Sequence, residues 1–170
     1  PFKIDLKALQ EGENLLQFKL DDSFFEAIEA PEVRRGTLHV DLSVRRVASC
    51  FEFDFHIEGY VHIPCYKCLD DMEQSILAEE SLVVKFGEET TEDDELVIVS
   101  EDKGVLDVSW FIYEFISLNI PIKHVHAPGN CNPAMVKMLE EHMATRSSEE
   151  EETIDPRWEA LRDLKNKEKE

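Results

Sequence analysis

The chain has 170 residues, 42% of them hydrophobic and 33% charged, which suits one domain with its own core and some solvated chain besides. The formal net charge is −20, and it is uneven: residues 1–46 hold 7 Lys/Arg against 9 Asp/Glu, and the rest of the chain holds 11 against 29. Such a surface repels phosphate backbones at long range and argues against a broad nucleic-acid groove, leaving solubility or an acidic face for a basic partner; no apolar run approaches the ~20 residues of a membrane helix.

In chain order, "LLQFKL" (15–20) reads as a short strand. In "DDSFFEAIEA", Ser23 with Glu26 three residues later makes a capping box, predicting one or two helical turns over 24–29 that Pro31 ends. The clearest signal follows. In "TLHVDLSVRRV" the even positions Leu38, Val40, Leu42 and Val44 are apolar, and in "CFEFDFHIEGYVHIPC" the odd positions Phe51, Phe53, Phe55, Ile57, Val61 and Ile63 are. Alternation this long predicts antiparallel strands with one buried and one wet face. Gly59, in mid-run, predicts a bulge or bend, and two long bent strands point to a curved or partly closed, barrel-like sheet.

Beyond the next turn, "MEQSILAEESLVVKF" continues as strand. The segment 87–96 carries six acidic residues among 88–95 and reads as a mobile loop, and "LVIVS" as a short buried strand. "LDVSWFIYEFISLNIP" is a helix with Asp107 as N-cap and Pro121 as stop, apolar almost all round and therefore largely buried. "CNPAMVKMLEEHM" restarts a helix, with Asn132 as N-cap and Pro133 at the first helical position. "ATRSSEEEET" is a charged linker. "IDPRWEALRDLKNKEKE" is a short amphipathic helix, capped by Asp155, with Trp158, Leu161 and Leu164 along one face.

The four cysteines, Cys50, Cys65, Cys68 and Cys131, are too few and too unevenly spaced for a disulfide framework, and the start "PFKIDLKALQ" has no apolar signal-peptide core; both predict a reducing, cytoplasmic setting. Cys65 and Cys68 form a CxxC pair with three readings. A metal clip needs about four ligands; Cys131 is a candidate third, and His124 or His126 in "IKHVHAPGNC" a candidate fourth, giving Cys65, Cys68, Cys131 and His126 as the set, with zinc as the metal. A redox pair would open a helix after a strand, whereas antiparallel strand pattern flanks this one. The plainest reading is a tight turn with reduced thiols. Cys50 lies fifteen residues back along a long strand and does not join.

No phosphate-binding glycine loop, HExxH or GxSxG occurs, no acid–base pair stands out, and no small-molecule substrate is evident. Phe51, Phe53 and Phe55 are core by pattern. Arg34, Arg35, Arg45 and Arg46 are the basic concentration outside the C-terminus and the candidate phosphate contacts; as strand-end pairs they also fit a solvated hairpin.

"IPCYKCLDDMEQSI" resembles the C-x-R-C-L-(E/D) turn of the YceD family of bacterial and plastid proteins, with Lys67 where Arg is usual. "GTLHVDLSVRRVASCFEFDFHIEGYV" is similar to that family's paired strands. "VLDVSWFIYEFISLNIPIKHVH" is similar to its L-D-L…E-x-(I/L)-x-L-x-(L/I)-P helix, with Glu114 and Pro121 in place, and "DPRWEALRDLK" to its terminal D-P-R-x-x-x-L-x-x-L. The resemblance covers nearly the whole chain in order. It implies a part in making or accumulating large-subunit ribosomal RNA, and no known enzymatic activity. Many members carry a second cysteine cluster after the helix, which implies zinc there; this chain departs from that, with Cys131 beside His124 and His126.

The expectation is therefore an α+β fold: an antiparallel, curved or partly closed barrel-like sheet with a buried helix and a flexible acidic C-terminal tail. Residues 1–143 form one domain containing the CxxC turn, 144–154 an acidic disordered linker and 155–170 a short amphipathic helix. The function expected is a non-enzymatic, cytoplasmic role in ribosome biogenesis through a ribosomal protein or pre-ribosomal particle. Trp158, Leu161, Leu164 and Arg157 are the candidate partner contacts. The alternative is a zinc- or thiol-dependent protein using the CxxC pair.

Overall fold

A computed structural model describes residues 2–87, 91–93 and 96–143. The chain divides into two units, Pro1–Val136 and Lys137–Glu170. All strands, the first two helices and the cysteine cluster belong to the first unit. In the second, Lys137 pairs with Glu141 one turn further on, at 3.8 Å.

The alternating runs become β2 (Glu13–Leu20), β3 (Arg35–Val47), β4 (Cys50–Pro64) and β5 (Asp71–Gly87), following a three-residue β1 (Lys3–Asp5). These four pair antiparallel in sequence order. The register sets Val40 against Ile57, Leu42 against Phe55 and Val44 against Phe53, so the even set of β3 and the odd set of β4 share one face. That face is buried: Val40, Val44, Phe53 and Ile57 have no exposed surface. Burying it is the main force ordering the sheet.

The sheet departs from the expectation in two respects. After β5 the chain passes through β6 (Thr91–Asp93) and returns as β7 (Leu96–Ser100), which runs parallel to β5. The sheet is thus mixed rather than purely antiparallel. Its order is β2-β3-β4-β5-β7-β6, and it is open, not a partly closed barrel, because among the described residues β2 and β6 are edges that do not pair with one another. Residues 91–93 of the expected mobile loop are strand; 88–90 and 94–95 lie outside the described residues.

Gly59 has φ +145°, yet the ladders on both sides of β4 run through it without an inserted residue. It is not a bulge. It lets β3 approach: a Cβ there would lie 2.3 Å from the Thr37 carbonyl oxygen and 2.7 Å from Leu38 Cα, closer than any side chain tolerates.

Helix α1 (Asp22–Ala27) begins two residues earlier than the capping box predicted; Asp21, not Ser23, is the N-cap, its carboxylate accepting the Ser23 N–H. Phe24 and Phe25 bury against the sheet face. β1 pairs with β8 (Val105–Asp107) in a separate two-stranded ribbon. That ribbon leads into α2 (Ser109–Leu118). Asp107 ends β8 and its carboxylate accepts the Ser109 N–H at 3.0 Å, while Val108 occupies the cap position. Phe111, Ile112, Tyr113 and Ile116 are buried, and Phe115 packs edge-on against Phe55 at 5.2 Å. The helix is buried on one side only: Trp110 is 44% and Leu118 79% exposed. Helix α3 (Pro133–His142) starts as the sequence indicates, Asn132 Oδ1 accepting the Ala134 N–H at 3.1 Å. The expected linker and terminal helix lie outside the described residues. No described helix is long and apolar enough to cross a membrane.

Candidate metal centre

The β4–β5 hairpin is the longest in the sheet, with Pro64 paired to Asp71 at its tip. Its turn is the CxxC. The Cys65 N–H donates to the Asp70 carbonyl and the Leu69 N–H to the Cys65 carbonyl, both at 2.9 Å, closing a knuckle in which Leu69 takes a left-handed φ of +63°. Both thiols point inward and are buried.

A second segment, after α2, is tied across this turn. The Tyr66 N–H donates to the His124 carbonyl at 3.0 Å, and the Tyr66 and His124 rings meet at 4.2 Å. Asn132 Nδ2 donates to Asp70 at 3.1 Å. These ties bring His126 and Cys131 over the thiols. Cys65 Sγ lies 3.9 Å from Cys131 Sγ, and His126 Nδ1 lies 3.3 Å from Cys68 Sγ and 4.0 Å from Cys131 Sγ. All four donor atoms fall within 4.8 Å of one another. Tetrahedral coordination at ordinary metal–sulfur and metal–nitrogen lengths places sulfurs about 3.8 Å apart and sulfur and nitrogen about 3.6 Å apart. The separations fit.

The surroundings favour thiolate and fix the ring. Burial disfavours the Cys65 anion, but N–H groups of Cys68, His126 and Lys67 and the Cys68 side chain outweigh it and hold the thiol down at about 6. The Lys67 and His126 amides each reach the sulfur at 3.4 Å. His126 Nε2 lies 3.2 Å from the Asp71 carbonyl. A carbonyl only accepts, so Nε2 donates and Nδ1 faces the sulfurs as the ligating nitrogen. Its contacts with Cys65, opposed by burial and reinforced by Cys68, shift the imidazole above its usual range. Burial, then the Cys65 and Cys68 sulfurs, push the Cys131 thiol up. Three crowded sulfurs would be relieved by a metal cation in their midst, which would take the place of the proton that they draw onto the ring's Nδ1.

His124 is not in this group; its Nδ1 lies 2.9 Å from the Pro121 carbonyl. Cys50 sits at the opposite end of β4, its thiol on the Val47 carbonyl. The four arginines do not form one patch. Arg35 pairs with Asp71, and Arg34 stands among Asp22, Glu26 and Glu29. At the far end of β3, Arg45 is 2.7 Å from Glu52, and Arg46 stacks over Phe51 at 5.7 Å. Arg157, Trp158, Leu161 and Leu164 lie outside the described residues.

The CxxC spacing, Cys131 and the nearby histidines were readable in the sequence. The supporting ring of amides and carbonyls, and the parts of Asp70, Asp71 and Asn132 in it, had no sequence signal. In comparison with known proteins, the family model described as "Large ribosomal RNA subunit accumulation protein YceD" matches residues 53–165, a span that includes all four cluster residues. No curated protein and no solved structure matches the chain.

Proposed function

The chain belongs to the YceD family, matched over residues 53–165, and on that premise we propose that it is a non-enzymatic factor supporting accumulation of large-subunit ribosomal RNA. The family match is the observation that carries this reading. The cluster supports the non-enzymatic part. Four protein donors complete a tetrahedral shell, and a catalytic site keeps one position open for water or substrate. We read the metal as Zn²⁺, which three thiolates and an imidazole suit, and its task as pinning the segment after α2 onto the β4–β5 turn.

The competing reading, a thiol-dependent enzyme, is disfavoured by placement. Cys65 and Cys68 are buried, sit in a hairpin turn rather than at a helix start, and are engaged with a third cysteine and a histidine. The setting we infer is cytoplasmic, and the partner a ribosomal protein or pre-ribosomal particle. Trp158, Leu161, Leu164 and Arg157 are our proposed anchor: an apolar stripe beside a cation at helical spacing. The test is depletion from the host cell, with large-subunit rRNA measured against small-subunit rRNA. The ratio falls if the reading is right; an unchanged ratio, with the tagged protein absent from ribosomal-precursor fractions, overturns it.

A further inference from the structure

The solvent face of the sheet is the part of the fold that the metal centre and the core leave unused. Across β2–β5 this face is hollowed into a trough of about 980 Å³, lined by Leu15, Gln17, Asp41, Asp54, His56 and Glu79 among others. It is the face opposite the core. The helix α2 lies on the other side, where Phe115 meets Phe55 and Asn119 Nδ2 donates to Glu80 at 3.1 Å.

The charge of the trough is one-sided. Asp41, His56 and Glu79 are directly aligned across three neighbouring strands. Along β4, Glu52, Asp54 and Glu58 occupy alternate positions, with His56 between the last two. Arg45 stands at one end and is divided between Glu52 at 2.7 Å and Asp54 at 3.8 Å. Asp41 takes a hydrogen bond from Gln17 at 2.7 Å and faces His39 at 3.2 Å; Glu58 and Glu79 lie 3.9 and 3.6 Å from His56. Among the described residues, Asp41, Glu58 and Glu79 have no Lys or Arg partner. Across the strands each of these carboxylates stands opposite His, Ser, Arg, Gln or an apolar residue rather than another carboxylate, so the fold tolerates an acidic excess on this face. Large apolar side chains flank them: Leu15 is 73% and Leu77 70% exposed.

We propose that this sheet face docks an extended, lysine- and arginine-rich protein segment. The inference rests on the reading that the protein works through protein contacts in ribosome assembly, and it names the surface and the partner's chemistry. Three features select that occupant. The sign of the charge repels RNA and attracts cationic chain. Alternate residues along β4 are about 6.8 Å apart, the same repeat at which an extended chain presents side chains on one side. Leu15 and Leu77 offer apolar surface to the methylene stems of Lys and Arg while their heads meet the carboxylates.

The test uses the full chain and a labelled peptide of alternating lysine and serine, with binding read by fluorescence anisotropy. One variant carries Asp54→Asn, Glu58→Gln and Glu79→Gln. A control removes the same charge elsewhere, through Glu26→Gln, Glu101→Gln and Asp102→Asn. Circular dichroism melting checks that both fold as the parent does. The trough variant should bind about tenfold more weakly or worse, and the control within about twofold of the parent. Equal losses in both variants would reduce the effect to overall charge and overturn the proposal, as would no loss in either. Preference for a uridine oligonucleotide over the peptide would overturn it too. Complementation of depleted cells separates this inference from the function it rests on. A parent chain that fails to restore rRNA refutes the function and leaves the peptide result standing. A trough variant that restores rRNA as fully as the parent shows that the face serves no such docking there.

Discussion

Replacing Gly59 with alanine tests how closely the two longest apolar runs are packed. The residue holds φ +145°, a region that costs a residue with a side chain about 1–3 kcal/mol. The new methyl group would also lie 2.3 Å from the Thr37 carbonyl oxygen and 2.7 Å from Leu38 Cα. Both are backbone atoms, so the clash is relieved only by parting β3 from β4, an overpacking cost of about 1–3 kcal/mol. The sum, about 2–6 kcal/mol, is a large share of the roughly 5–15 kcal/mol that holds a domain folded. Gly12 supplies the control: its φ is +104°, but a Cβ there meets nothing within 4 Å. Gly12→Ala should show the strain alone. Both substitutions restrict the unfolded chain equally, so that contribution cancels between them. Urea denaturation with matched m-values gives the two losses. If Gly59→Ala costs no more than Gly12→Ala, the close approach of β3 is wrong.

Two further perturbations examine the core and the terminal segment. Phe53→Ala, at a fully buried ring stacked 6.3 Å from Phe55, should cost about 3–5 kcal/mol in chemical denaturation; a loss under about 1 kcal/mol would place that face in solvent. Deleting residues 153–170 should weaken retention of the ribosomal partner in pull-downs while leaving the melting temperature within about 2 °C; a domain that unfolds on deletion would make that segment part of the core and remove it as the anchor.

The paired strands β3 and β4 were legible because a one-sided sheet writes its two faces as alternate residues, and thirteen and fifteen residues leave little room for another period. Direction and closure are not written that way. The five residues of β7 alternate identically whether they run with β5 or against it, and nothing in β2 states that its outer edge goes unpaired. β1 and β8, at three residues each, are shorter than any periodicity. The helix starts were read to within two residues: Asp21, two residues before Ser23, caps α1, whereas Val108, one residue after Asp107, takes the cap position of α2 although Asp107 still accepts the Ser109 N–H. At the metal centre, spacing alone gave the CxxC. The sequence named His126 over His124 without a geometric reason; the fold supplies one, turning His124 to the Pro121 carbonyl and His126 to the thiols.

The central claim is that Cys65, Cys68, His126 and Cys131 hold one metal ion that fastens the segment after α2 to the β4–β5 turn. Native mass spectrometry of the protein purified without added metal or chelator measures this directly. We predict one zinc per chain, lost in Cys131→Ser, with a melting temperature that falls when a chelator strips the metal from the parent. A metal-free chain of unchanged melting temperature in chelator, still metal-free after incubation with zinc, would contradict it.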